Sequence, residues 1–286
     1  MSGMRKDANP ALPDASNFGM QLPLLPFAIR RRVPFILCCF ALPFLLISCG
    51  GGTIGNSPTA PNWSYTALGD SLADGVLAEQ GYVQRYATYV NLDTGANVDT
   101  TNLGVPGWHS SDLLNALQTH PDFRSSLSSA QVITWDIGGD DLANAHSHFT
   151  EGICGGTDNQ DCLRSAVTTL EQNWSAIISQ ILQVRSTGNT IIRTMDIYNP
   201  YVASDMQAGN FDKLEPYLDE VNHYIHSTAS AHGIPVANVH QAFNGADGKT
   251  DPNTLGLLAP DGFHPNDAGH KVIADQLRAL GYAPLH

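Results

Sequence analysis

The sequence predicts an α/β protein: a mostly parallel, five-stranded sheet with helices on both faces. Two observations carry this. Short runs suited to strands alternate about five times with longer runs suited to helices, the pattern of a parallel sheet with helical crossovers. Composition supports a packed core, with 42% hydrophobic and only 14% charged residues in 286.

The elements follow in order. Tyr65 to Gly69 forms a short strand candidate, and a helical stretch runs around Val76 to Val90. Asn97 to Leu103 is the second strand candidate, followed by a helix around Ser111 to Leu117. Gln131 to Ile137 is the third, rich in β-branched and aromatic residues. Leu163, Val167, Leu170, Trp174, Ile177, Ile181 and Val184 then recur at three- and four-residue spacing, an apolar helical stripe that stops before Gly188. Thr190 to Ile197 and Ile234 to Val239 are the fourth and fifth strand candidates. Between them Leu214, Leu218, Val221 and Ile225 mark a helix, and Val272, Ile273, Leu277 and Leu280 mark the last one, ending at Gly281. In such sheets chemistry sits beyond the carboxyl ends of the strands.

The N-terminal segment has a different character. Arg30, Arg31 and Arg32 precede an apolar run, Val33 to Ser48, that is short for a membrane span. It ends in Leu46-Ile47-Ser48-Cys49 and then Gly50-Gly51-Gly52. A positive flank, a short apolar stretch and a small-residue end describe a secretory signal. The end also resembles a bacterial lipobox, in which Cys49 is acylated and becomes the mature N-terminus; an ordinary cleaved signal is the alternative. Met20 stays open as a second start. The expected organisation is a signal peptide over 1–48, a flexible Gly-, Pro- and Ser-rich tether over 49–62, and one domain over 63–286.

Net charge is −13, from 14 Lys and Arg against 27 Asp and Glu. That surface disfavours nucleic acid and basic-patch docking on anionic lipid. Two cysteines beyond the lipobox, Cys154 and Cys162, lie close in sequence in an exported chain and suggest a disulfide. Asp158, Asp161 and Asp251 match no calcium loop; His109, His146 and His148 read as loop surface, with contact to substrate as the alternative.

Two places carry the chemistry. Gly69-Asp70-Ser71-Leu72 puts a serine between a strand and a helix, where it serves either as a nucleophile or as a plain helix cap. Near the C-terminus, Asp261-Gly262-Phe263-His264-Pro265-Asn266 spaces a carboxylate and an imidazole three apart, enough for one turn to aim both at one site.

Together these segments resemble the SGNH hydrolases, also called GDSL-type esterases and lipases. Two further blocks fall in family order: Asn102-Leu103-Gly104-Val105-Pro106-Gly107 and Ile137-Gly138-Gly139-Asp140-Asp141-Leu142. The resemblance implies a three-layer α/β/α domain with a flavodoxin-like sheet, and a serine esterase working without cofactor or metal. It implies Ser71 as nucleophile, His264 as base and then acid, Asp261 as orienting acid, and backbone N–H groups of Ser71 and Gly107 as oxyanion donors. The third block departs from the family, which has Asn where this chain has Asp140; an ionised carboxylate donates no hydrogen bond. Protonation of Asp140, substitution by Asn102, Asn144 or Trp108, and weak activity are the three readings of that departure. The implied substrates are short-acyl esters, acetylated carbohydrates or lysophospholipids. The lack of a long apolar lid segment tilts the reading to short acyl groups. A silent module that binds acylated sugar or lipid, and an acyltransferase, are the alternatives. The expected product is a monomer, lipid-anchored to the cell envelope; Gly50-Gly51 after Cys49 favours the outer membrane or surface.

Overall fold

The computed structural model describes residues 59–285. The signal peptide, Cys49 and most of the tether lie outside the described residues. Five strands form one sheet in the order β2-β1-β3-β4-β5, every pairing parallel. They are β1 (Asn62–Gly69), β2 (Asn97–Gly104), β3 (Val132–Trp135), β4 (Ile191–Met195) and β5 (Val236–Ala237). β1 therefore starts one residue inside the segment expected to be tether.

Among the described residues, ten helices connect and flank the strands: α1 (Ser71–Asp74) and α2 (Tyr82–Thr94) after β1, α3 (Ser110–Thr119) and α4 (Pro121–Ser129) after β2, and α5 (Gly139–Thr150) and α6 (Asp161–Leu182) after β3. α7 (Val202–Ala208) and α8 (Phe211–Ala231) follow β4, and α9 (Val239–Asn244) and α10 (Asp267–Ala279) follow β5. All five strand candidates are strands. The helix expected over Val76 to Val90 starts later, at Tyr82, because Gly75 ends α1 in the left-handed region and Leu77 also has positive φ. The sequence reading marks no helix at α1, α4, α5, α7 or α9; they are short or carry polar residues at half or more of their positions, so no apolar stripe marks them.

Alternation along β1 sorts the two cores. Trp63, Tyr65 and Ala67 face a cluster with Tyr82, Tyr86, Phe243, Ile273 and Leu277, from α2, α9 and α10. Leu68 faces the opposite cluster, where Trp135 and Trp174 pack at 5.5 Å beside Leu113, Leu170 and Ile225. Burying large aromatic and aliphatic side chains on both faces supplies most of the driving force for this three-layer arrangement. Cys154 and Cys162 are disulfide-bonded and close the loop between α5 and α6. Asp158 and Asp161 are both held by Arg164.

The sheet order reverses direction between β1 and β3, which leave their carboxyl ends with β2 on one side and β4 on the other. That divergence opens a crevice at the strand ends. Ser71 follows β1, Gly107 follows β2 and Asp140 follows β3, so three segments from adjacent strands meet one edge of the sheet.

Candidate active site

The turn after β1 is fixed by close backbone contact. Gly69 has φ +148°, and a Cβ there would run into the carboxyl group of Asp136. Asp70, not Ser71, caps α1: its Oδ1 accepts the Leu72 N–H at 2.9 Å. Ser71 is thereby released from the capping role and sits buried at the first helical position. Its Oγ lies 3.0 Å from His264 Nε2.

His264 belongs to a loop that is pinned from several sides. The Ala259 N–H donates to the His264 carbonyl at 2.7 Å, and Leu258 and Pro265 form an antiparallel bridge. The Asn266 side chain caps α10 through the N–H groups of Ala268 and Gly269, and its amide donates to the carbonyls of Gly256 and Leu258. Asp261 Oδ2 lies 2.6 Å from His264 Nδ1, while Oδ1 accepts the N–H groups of Phe263 and His264. Burial alone would raise the Asp261 carboxyl, but His264 and the two backbone donors outweigh it and hold the group below its ordinary value. The carboxylate thus stays ionised beside the imidazole.

Gly107 is exposed in the turn between β2 and α3, with φ +81°, a conformation that favours glycine. Asp140 lies half-buried in the first turn of α5, and its carboxyl takes no hydrogen bond among the described residues. Burial raises it above its ordinary value and Asp141 adds to this, while His109 and His264 oppose. Asp141 turns away and accepts both the backbone N–H and the hydroxyl of Ser110, fixing the start of α3. The other donors considered for the oxyanion have other placements. Asn102 donates to the Ala73 carbonyl and accepts from Gly104, Trp108 stacks on Phe123 at 5.8 Å, and Asn144 is exposed on α5.

Against Gly69 and Asp70 lies a group that the sequence reading missed. Asp136, at the end of β3, is buried; its Oδ1 accepts the Asp70 N–H at 3.3 Å and its Oδ2 accepts the Tyr82 hydroxyl. Burial pushes Asp136 up to about 6, against the Tyr82 and Asp70 hydrogen bonds, and raises Asp70 further, with the Asp136 charge adding to it. A signal was present: an aspartate closing a β-branched core strand has to be buried and partnered. His146 and His148 are also not loop residues. Both lie on α5, and His146 stacks on Tyr201 at 4.0 Å and bonds Asp205 at 2.9 Å.

Among the described residues no cluster of three or more His, Cys, Asp or Glu side chains has a metal-binding arrangement, and no helix is long and apolar enough to cross a membrane.

Comparison with known proteins agrees with this geometry. The model of the GDSL-like lipase/acylhydrolase family matches residues 67–272. The chain therefore belongs to the GDSL-like lipase/acylhydrolase family, and it is a carboxylic ester hydrolase. It is 26% identical over 226 residues to the spore germination lipase LipC of Bacillus licheniformis, covering 77% of this chain and 97% of that one. A lipase from a goat rumen metagenome superposes with a TM-score of 0.66 at 25% identity, over 78% of this chain and 100% of the other. An acetylxylan esterase of Geobacillus stearothermophilus shares the fold, with a TM-score of 0.55 at 19% identity over 78% and 95% of the two chains.

Proposed function

We propose that this chain hydrolyses carboxylic esters through an acyl-enzyme on Ser71. The supporting observation is the continuous hydrogen-bonded line from Ser71 Oγ through His264 to Asp261, with steps of 3.0 and 2.6 Å. Ser71 Oγ attacks the ester carbonyl carbon while His264 Nε2 takes its proton. The tetrahedral oxyanion is received by the backbone N–H groups of Ser71 and Gly107 and by Asp140 in its protonated form, which donates an O–H. His264 then gives the proton to the departing alcohol. Water, deprotonated by His264, releases the acid and restores Ser71. Asp261 keeps the imidazole oriented and stabilises it when charged. The substrate is a small-molecule, carbohydrate or lysophospholipid ester; the relatives include proteins called lipase and acetylxylan esterase.

Localisation rests on the sequence alone. The Arg30–Arg32 flank, the apolar run and Cys49 support an exported protein anchored to the cell envelope by lipid. Labelling with a radioactive fatty acid, lost in Cys49→Ser, tests that anchor.

The experiment for the reaction is hydrolysis of p-nitrophenyl esters by the purified chain beside Ser71→Ala. Ser71-dependent release of nitrophenol supports the reading; equal release by both proteins contradicts it. Asp140 favours one second reading, a module that binds acylated sugar or lipid with little turnover. Absence of turnover in the wild type with turnover gained in Asp140→Asn would support that reading.

A further inference from the structure

α5 has Asp140 in its first turn and carries two unlike faces. Leu142 and Ala143 line an apolar pocket that continues to α6, α8 and the segment after β4. Asp141, Asn144 and His148, at three- and four-residue spacing, line a separate groove of about 540 Å³, its open mouth included. Ser165 and Thr169 of α6 form its other wall. That volume lies in the range of small-molecule sites. Asn144, His148, Ser165 and Thr169 make no side-chain hydrogen bond among the described residues, so their donors and acceptors are open to an occupant. Among the described residues no Lys or Arg lines the groove, so an anionic occupant meets no counter-charge. A neutral molecule carrying several hydroxyl groups fits that lining.

The groove is held in shape, and it reaches the oxyanion side of the candidate site. Ser110 ties three helices: its N–H and hydroxyl donate to Asp141 of α5, and its hydroxyl oxygen accepts the Asn173 amide of α6 at 2.9 Å. Cys162, also on the lining, is fixed by its disulfide to Cys154. An occupant therefore finds the walls already ordered. Asp141 follows Asp140 in the chain. His109 lines the groove two residues after Gly107, and its Nδ1 lies 3.7 Å from Asp141 Oδ2. Its imidazole also opposes the effect of burial on the Asp140 carboxyl.

We propose that this polar groove is a leaving-group subsite, that it receives a neutral polyhydroxylated alcohol part of the ester, a sugar or glycerol, and that Asn144, His148, Ser165 and Thr169 determine its specificity. This rests on the Ser71 reading above and narrows its substrate class. With the ester carbonyl at Ser71, the alcohol part extends past His109 and Asp141 into the groove. A site built to bind hydroxyl groups discriminates against an alcohol that lacks them, because its polar atoms then lose water without gaining a partner.

The test is kcat/KM for ethyl acetate, glycerol monoacetate and a monoacetylated methyl xyloside, which share one acyl group and differ in the alcohol. It is measured on the wild type, Ser71→Ala, His148→Leu and Ser165→Leu, and thermal melts show which variants fold. At least one polyol ester should exceed ethyl acetate by about tenfold or more in the wild type, and the better one identifies the alcohol as sugar or glycerol. Each folded leucine variant should lower that ratio by about tenfold. Ser71-dependent hydrolysis with ethyl acetate equal or preferred, or with a ratio that no folded variant moves, overturns the subsite while leaving the Ser71 reading intact. No Ser71-dependent hydrolysis of any ester overturns both.

Discussion

Asp70, the residue before Ser71, meets Asp136 in the core, with the Asp70 N–H donating to Asp136 Oδ1 at 3.3 Å. Two carboxyl groups at such a place cannot both ionise without large cost, so the pair retains a proton well above the usual carboxylate range. The pair joins the end of β1 to the end of β3 and to Tyr82 of α2.

The first prediction concerns stability. The folded chain holds the Asp136 proton up to about pH 6, whereas the unfolded chain releases it near 4. Because the native state binds this proton more tightly, its contribution to stability is complete below about pH 4. It is lost as pH rises through about 6. Urea denaturation of wild type and Asp136→Asn between pH 4 and 7 checks this: the difference between the two should shrink or reverse as pH rises. A difference that is constant across that range contradicts it.

A second prediction concerns the strand end. Gly69→Ala forces a Cβ into Asp136 at a backbone conformation that L residues rarely adopt. It should destabilise by at least about 2 kcal/mol. It should also lower kcat by displacing Ser71. Denaturation midpoints and steady-state kinetics on the same preparation read both effects.

Asp140 yields a pH prediction. On the proposed mechanism, ionised Asp140 deprives the oxyanion of a donor and sets a negative charge against it. Wild-type activity should therefore fall once pH passes the raised Asp140 value, whereas Asp140→Asn should not show that fall. At pH 8 the variant should exceed the wild type by about tenfold or more in kcat, since one oxyanion donor is worth roughly 10²–10³. Equal rates and equal pH profiles would remove Asp140 from the oxyanion site.

Asp261 is held ionised by three hydrogen bonds. Asp261→Asn leaves the size unchanged but loses the charge beside His264, and kcat should fall by about 10³–10⁴ with little change in KM. A fall of less than tenfold would assign the orienting role elsewhere.

The fold was legible because its signals are local. The apolar stripe from Leu163 to Val184 and the β-branched run ending at Ile137 read as helix and strand with no reference to the rest of the chain, and both are such elements. Four segments in order gave the candidate site residues. What stayed hidden depends on contacts across the chain. Tyr82 reaches Asp136 over 54 residues and His146 reaches Asp205 over 59, so nothing near either histidine or tyrosine marked its partner. The apolar pocket is assembled from α5, α6, α8 and the segment after β4, so no single run of sequence marks it.

The central claim is that Ser71 is an activated nucleophile. Intact-mass measurement of the chain after brief treatment with a fluorophosphonate tests it most directly. The account predicts a single adduct, mapped by peptide sequencing to Ser71, absent in Ser71→Ala and strongly slowed in His264→Ala. An unmodified wild-type chain, or an adduct that persists in Ser71→Ala, would contradict it.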